Sequence, residues 1–172
     1  MIDIGNMFLL VLRKFLQTTT VFLTIMLPAL VFAQVLLRYV FQIPLMGIEE
    51  IMIFPIIWLY FLGGAEASRT RTHIYCGILT LYIKKEKTMA LFNVVRSIIS
   101  LVISLWLTYW SYWFFAYSLR VWKLSDLVRL PMFFAESALF IGLILISLYT
   151  AIELIDMVRN LYSMMNKHTE VI

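Results

Sequence analysis

Four long apolar runs are the feature that most restricts the fold of this chain. They extend over about residues 15–37, 51–67, 89–117 and 131–155, and each is long enough for a helix that crosses a bilayer. Apolar residues make up 63% of the 172 residues and charged residues only 14%, which excludes an ordinary soluble domain. The sequence therefore predicts an all-α integral membrane protein, with four transmembrane helices in a single domain over residues 1–172.

The connection between the second and third runs has a pattern of its own. Its apolar residues recur at helical spacing: Ile74, Ile78, Leu81 and Tyr82. The basic tract KKEK follows at positions 84–87. An apolar stripe beside a basic tract is typical of a helix that lies in the membrane interface. We predict a short amphipathic helix here, in contact with membrane lipids; the alternative is an extension of the second transmembrane helix.

The lysine and arginine residues outside the four apolar runs divide unevenly between the two sides of the membrane, nine against four; Arg96 lies within the third run. The richer side holds Arg13, Lys14, Arg69, Arg71, Lys84, Lys85, Lys87, Arg159 and Lys167. The poorer side holds Arg38, Arg120, Lys123 and Arg129. Because cytoplasmic loops carry the excess of these residues, we predict that both termini face the cytoplasm. The net charge of +4 is clustered by loop instead of spread over one face, so no nucleic-acid partner is indicated.

Polar groups gather where the first helix ends and the second begins. Arg38 and Tyr39 close the first run with basic and aromatic groups that suit the interface. Glu49 and Glu50 then open the second helix, where acids complement the helix dipole. They could also pair with Arg38, accept hydrogen bonds from a partner or receive a cation. We favour a structural role, because a substrate site needs more converging polar groups.

The far end of the second helix combines small residues with charges. Gly63, Gly64 and a nearby alanine would let another helix approach closely. Glu66 and Arg69 are three residues apart, the spacing of a helical ion pair.

His73 follows in the cluster RTRTH. The only other histidine is His168, and the single cysteine is Cys76, so a zinc set cannot be completed. We predict a headgroup or partner contact for this cluster and no catalytic or metal role.

Glu136 is the one acid clearly within the fourth apolar run, since Glu153 lies at its far end. Intramembrane carboxylates are costly to desolvate and are therefore candidates for function. We expect a structural pairing with Arg129 or Arg120, with interfacial solvation or proton and coupling-ion chemistry as the alternatives.

Aromatic residues share one face near the end of the third run: Trp106, Trp110, Trp113 and Tyr117. This pattern indicates an aromatic belt at the membrane surface or a seam with a partner helix, in preference to a cofactor box.

Four short motifs follow one another between residues 38 and 74: RYVF, EE, WxxFLG and RxxxHI. With these motifs the chain resembles the small membrane subunit (DctQ-like or SiaQ-like) of tripartite ATP-independent periplasmic (TRAP) transporters. The candidate partner-interface residues in this region are Arg38, Tyr39, Glu49, Glu50, Trp58, Gly63, Gly64, Arg69 and His73.

The resemblance implies a function for the whole chain. It implies a non-catalytic subunit of the bacterial inner membrane, without a cofactor, that braces a large DctM-like subunit as part of a fixed scaffold. Na+ is then expected at the large subunit, and a periplasmic binding protein delivers a carboxylate-bearing solute such as a dicarboxylate, sialic acid or another sugar acid. The sequence agrees, because it has no paired half-helices, inverted repeats or mid-membrane polar cluster of a self-sufficient transporter.

Two other functions are alternatives to this one. A haem or quinone anchor of a redox complex would need histidines facing each other inside the bundle, and neither His73 nor His168 lies in a predicted span. A small proton-coupled exporter could use Glu136, although that acid is in the last span and near an interface.

Overall fold

The computed structural model describes residues 4–42, 47–72 and 86–166. These residues form four helices: α1 (Ile4–Tyr39), α2 (Gly47–Thr70), α3 (Glu86–Val121) and α4 (Phe133–Asn166). Each is long and apolar enough to cross a membrane, which confirms the predicted all-α class with four such helices. His73 and most of the predicted interfacial helix lie outside the described residues.

The helices extend beyond most of the predicted boundaries. Helix α2 begins at Gly47, four residues before the predicted run at residue 51, so Pro55 lies in its third turn. Glu49 and Glu50 form the first turn of α2, where acids stabilise a helix through its dipole. Helices α1 and α3 have 36 residues each, about 54 Å at 1.5 Å per residue. Because a bilayer core is about 30 Å thick, both must tilt or project from it.

Packing places the helices in an order that differs from their order in the chain. Helix α4 packs against both α3 and α2, and α1 packs mainly against α2. The spatial order is therefore α1, α2, α4, α3, with α4 at an inner position and α1 at one edge. A small core forms where three helices meet, from Leu16 and Leu23 of α1, Leu62 and Ala65 of α2, and Tyr149 of α4.

A seven-residue repeat of serine lines the face of α3 toward α4. The buried members are Ser97, Ser104, Ser111 and Ser118. A seven-residue repeat keeps one face of a helix against a neighbour, and small side chains let the two backbones approach. The hydroxyl of Thr108 in the same helix reaches α4, 3.0 Å from Ser147 Oγ. Helices α3 and α4 are thus joined along their length.

Gly142 marks the closest approach between α2 and α4. A Cβ added to this residue would lie 2.5 Å from Phe61 Cβ and 3.3 Å from the Phe61 carbonyl carbon. No larger residue fits there without moving the α2 backbone. A Cβ added to Gly64 would lie 3.4 Å from Ile146 Cδ1, which is an ordinary van der Waals contact.

Candidate functional site at the two polar ends of the bundle

Most of the charged contacts among the described residues are at the two ends of the bundle. The loop end consists of the end of α1, the start of α2 and residues 122–132, which connect α3 to α4. The terminal end consists of the start of α1 and the ends of α2 and α4.

At the loop end, the Glu50 carboxylate holds the connection between α3 and α4. It accepts hydrogen bonds from the backbone N–H of Leu127 at 2.9 Å and of Val128 at 2.9 Å, and from the hydroxyl of Ser125. A carboxylate that accepts several such bonds fixes the groups that donate them. Glu50 therefore attaches the loop of residues 122–132 to the start of α2.

The loop is also folded on itself. The N–H of Ser125 donates to the Leu130 carbonyl at 2.9 Å, and the N–H of Met132 donates to the Lys123 carbonyl at 2.9 Å. The start of α2 lies directly against it, since a Cβ on Gly47 would be 2.9 Å from Val128 Cγ2. Glycine at this position permits the contact that Glu50 then stabilises.

Glu49, unlike its neighbour, points toward α1. It accepts a hydrogen bond from Gln34 Nε2 at 3.0 Å, and the Arg38 guanidinium lies 3.9 Å away. Arg38 also lies over the ring of the exposed Tyr39. Because both members of the Arg38–Glu49 pair are largely exposed, their attraction is weak in this subunit alone.

Two further predicted site residues make contacts inside the subunit. The indole Nε1 of Trp58 donates to the Phe134 carbonyl in the first turn of α4, at 2.9 Å. Glu136, also in that first turn, accepts a hydrogen bond from Ser118 of α3. No ion pair joins Glu136 to an arginine among the described residues. The serine, and not Arg129 or Arg120, is thus the partner found for this acid.

At the terminal end, Arg69 and Glu66 form the pair that their spacing predicts. Arg69 Nε and Nη2 donate to the two carboxylate oxygens of Glu66 at 2.7 and 2.5 Å. The pair is largely buried, and Arg13 and Gln17 of α1 lie near the same carboxylate. It therefore contributes to the contact between α1 and α2.

Arg71 joins the end of α2 to α4. The helix closes with two hydrogen bonds, from the N–H of Thr72 to the Ala67 carbonyl and from the N–H of Arg71 to the Ser68 carbonyl, at 3.1 and 3.3 Å. This places Arg71 in the left-handed region, with a φ of 56°. Its Nη2 donates to Asp156 Oδ2 at 2.5 Å.

The two adjacent glycines of α2 have different surroundings. Gly64 packs against α4, whereas nothing lies within 4 Å of a Cβ on Gly63. Gly63 shares an outer face of α2 with Ile53, Ile56 and Tyr60, all three exposed. The aromatic face predicted for α3 is exposed as well, at Trp106, Trp110, Trp113 and Tyr117.

Sequence reasoning missed several residues of these ends. It identified Glu50 but not the donors in residues 122–132, because they are about 77 positions away in the chain. It also missed the partner of Arg71 and the role of Gly142. The regular spacing of serine in α3 was a signal that could have been read.

These contacts hold helices and loops of the subunit together. Among residues 4–42, 47–72 and 86–166, no three metal-ligating side chains converge. Glu50 is bonded to the loop before α4 and Asp156 to Arg71 at the end of α2, while Glu66 is paired with Arg69 of its own helix.

The chain is similar to a known protein family. The model of one protein family, the DctQ component of tripartite ATP-independent periplasmic transporters, matches residues 27–160. The matched segment covers more than three quarters of the chain. A search of curated protein sequences gave no match. The chain therefore belongs to the DctQ family and is a small inner-membrane component of a TRAP transporter.

Proposed function

We propose that this subunit braces the large DctM-like membrane subunit and enlarges the fixed scaffold against which the transporting part moves. In this proposal the transporter is Na+-coupled, and the Na+ sites belong to the large subunit. A periplasmic binding protein delivers the solute, which carries a carboxylate: a dicarboxylate, sialic acid or another sugar acid. The subunit itself performs no catalysis.

One observation carries this proposal: the charged groups described above lie at the ends of the helices, and broad apolar faces lie between them. An anionic solute that crosses the bilayer needs cations and hydrogen-bond donors that converge near its midplane. Between the ends, the polar contacts of the described helices are mainly hydroxyl groups, such as that of Thr108. This distribution suits a stationary neighbour of a transporter.

The outer face of α2 is our candidate for the contact with the large subunit. Gly63 offers space for a second helix, and Tyr60 beside it is 75% exposed. Small residues on a membrane helix allow such close packing. Trp58 and Gly64 are less suited to this contact than their sequence positions indicated, because both contact α4.

Glu136 supports the scaffold in preference to a proton-coupled exporter. It is located in the first turn of α4 and accepts a hydrogen bond from Ser118. An exporter built on one acid requires that acid deep in the membrane and alternately open to both sides, whereas Glu136 is at the end of its span.

Reconstitution tests the scaffold role. The chain alone, placed in liposomes with an inward Na+ gradient and the binding protein, should give no solute uptake. Adding the large subunit should restore uptake. Robust uptake by the chain alone would refute the proposal.

The proposed topology has both termini in the cytoplasm and the loop end in the periplasm. Single cysteines at Asn6 and Asp126, in a Cys76→Ser background, can be labelled from outside intact spheroplasts. Only the cysteine at position 126 should react. Labelling at position 6 alone would show that the orientation is the opposite of the proposed one.

A further inference from the structure

A cavity of about 400 Å³ lies between the end of α2, the first half of α3 and α4. Its lining changes character along the helices. Arg71, Arg96 and Glu153 line the part at the terminal end, while Leu107 and Leu143 line the deeper part. The eleven positions from Arg96 to Leu107 correspond to about 16 Å along α3. The cavity is therefore amphipathic, with mixed charges at the membrane surface and an apolar floor.

Ser97 gives this cavity a buried hydroxyl group beside its charged residues. Its side chain lines the cavity, is only 4% exposed, and its hydroxyl has no hydrogen-bond partner among the described residues. Other serines of the same repeat are bonded: Ser104 donates to the Leu101 carbonyl and Ser111 to the Thr108 carbonyl. Buried hydroxyl groups are rarely left without a partner. An occupant of the cavity would supply the missing acceptor.

We propose that this cavity binds one phospholipid whose headgroup carries both a phosphate and an ammonium group. Arg71 and Arg96 supply guanidinium donors for the phosphate, and Ser97 adds a hydroxyl donor. Arg71 has five N–H donors, so its bond to Asp156 leaves others for a ligand. Glu153 complements the ammonium group, and the apolar floor receives the start of an acyl chain. The location at the end of the membrane helices is where lipid headgroups lie.

Native mass spectrometry of the delipidated full chain in detergent, titrated with phosphatidylethanolamine, tests the site. The wild type should bind one molecule in preference to further ones. Arg96→Gln should weaken that binding about tenfold, since it removes a charge-assisted contact. Ser97→Ala should weaken it by a smaller factor without lowering the Tm of the lipid-free protein, because its hydroxyl has no partner to lose.

Matched controls come from the same helix. Arg120 and Ser111 do not line the cavity, so the variants Arg120→Gln and Ser111→Ala should bind the lipid as the wild type does. Glu153→Gln should reduce the preference for phosphatidylethanolamine over phosphatidylglycerol. If Arg96→Gln and Ser97→Ala both bind as the wild type does, the proposal is wrong.

Two further experiments distinguish the lipid from other occupants of the cavity. Inorganic phosphate should raise the Tm of the chain less than the lipid does; an equal rise would assign the cavity to a small anion and overturn the lipid site. If the large subunit expels the lipid on forming the complex, the cavity belongs to a side chain of that subunit, and the proposal also fails.

Discussion

Helices α1 and α4 show that hydropathy and packing are separate properties of a membrane helix. Their most apolar stretches have the same mean hydropathy, 2.3, yet 6% of that stretch is buried in α1 and 33% in α4. Helix α4 presents small residues to its neighbours, including Ala135, Ala138 and Gly142. Helix α1 presents large exposed side chains such as Phe22 and Phe32.

The difference has a physical reason. Lipid chains are as apolar as leucine, so apolar surface alone gives a helix little preference for protein over lipid. Small residues permit close packing, and hydrogen bonds between helices add to it. Helix α4 is accordingly held along its length, whereas α1 is held by a few buried leucines and by polar groups near its ends.

The largest expected effect is at the seam between α4 and α2. Gly142→Leu would force a side chain into space already occupied by Phe61, where even a Cβ would be 2.5 Å away. We expect a loss of about 3 kcal/mol, by analogy with overpacked cores, and a clearly lower Tm in detergent. Gly63→Leu is the matched control in open space and should leave the Tm of the isolated chain unchanged. Equal losses for both variants would show that the α2–α4 seam is not close-packed.

The same Gly63→Leu variant has a second use in the complex. If the outer face of α2 meets the large subunit, this variant should co-purify less with it and support less uptake, although its own Tm is normal. Normal co-purification would show that the outer face of α2 does not contact the large subunit, and the aromatic face of α3 would become the candidate for that contact.

Helix α1 should depend on very few side chains. Leu16→Ala removes a side chain that is 0% exposed, and we expect a loss of about 2 kcal/mol. The neighbouring Phe15 is 63% exposed, so Phe15→Ala should change the free energy of unfolding by less than about 0.5 kcal/mol. Thermal unfolding of the two variants in detergent measures the difference. Similar values would mean that α1 has no specific docking face.

The loop before α4 should respond locally to the loss of Glu50. Glu50→Ala removes the acceptor of the Leu127 and Val128 amides, so their hydrogen exchange should become about tenfold faster. Glu49→Ala is the control, because Glu49 contacts Gln34 and Arg38 of α1 instead of the loop. Unchanged exchange in the Glu50 variant would show that the loop holds its own shape.

The smallest effect is expected from a single hydroxyl in the α3–α4 seam. Thr108→Val removes the hydrogen bond to Ser147 but keeps the shape of the side chain. Hydrogen bonds between membrane helices contribute about 0.6 kcal/mol on average, and we expect a loss of that size. The exposed Thr18 of α1 supplies the control Thr18→Val, with no expected change in Tm. A much larger loss at Thr108 would show that polar contacts dominate this seam.

The sequence by itself determined the properties that depend on neighbours along the chain. Hydropathy summed over successive residues located four membrane helices, and the spacing of Glu66 and Arg69 predicted their ion pair. Motifs between residues 38 and 74 identified the family, which the match over residues 27–160 confirms.

Only the tertiary structure decided which helices touch and what each polar group faces. It separated Glu49 from Glu50 and Gly63 from Gly64, although each pair is adjacent in the sequence. It also placed α4 between α2 and α3. The reason is that the rotation of a helix in a bilayer is not set by its apolar residues, since lipid and protein accept them equally. Contacts across dozens of residues set it, and among the described helices only the serine repeat of α3 gave a local sign of a packed face.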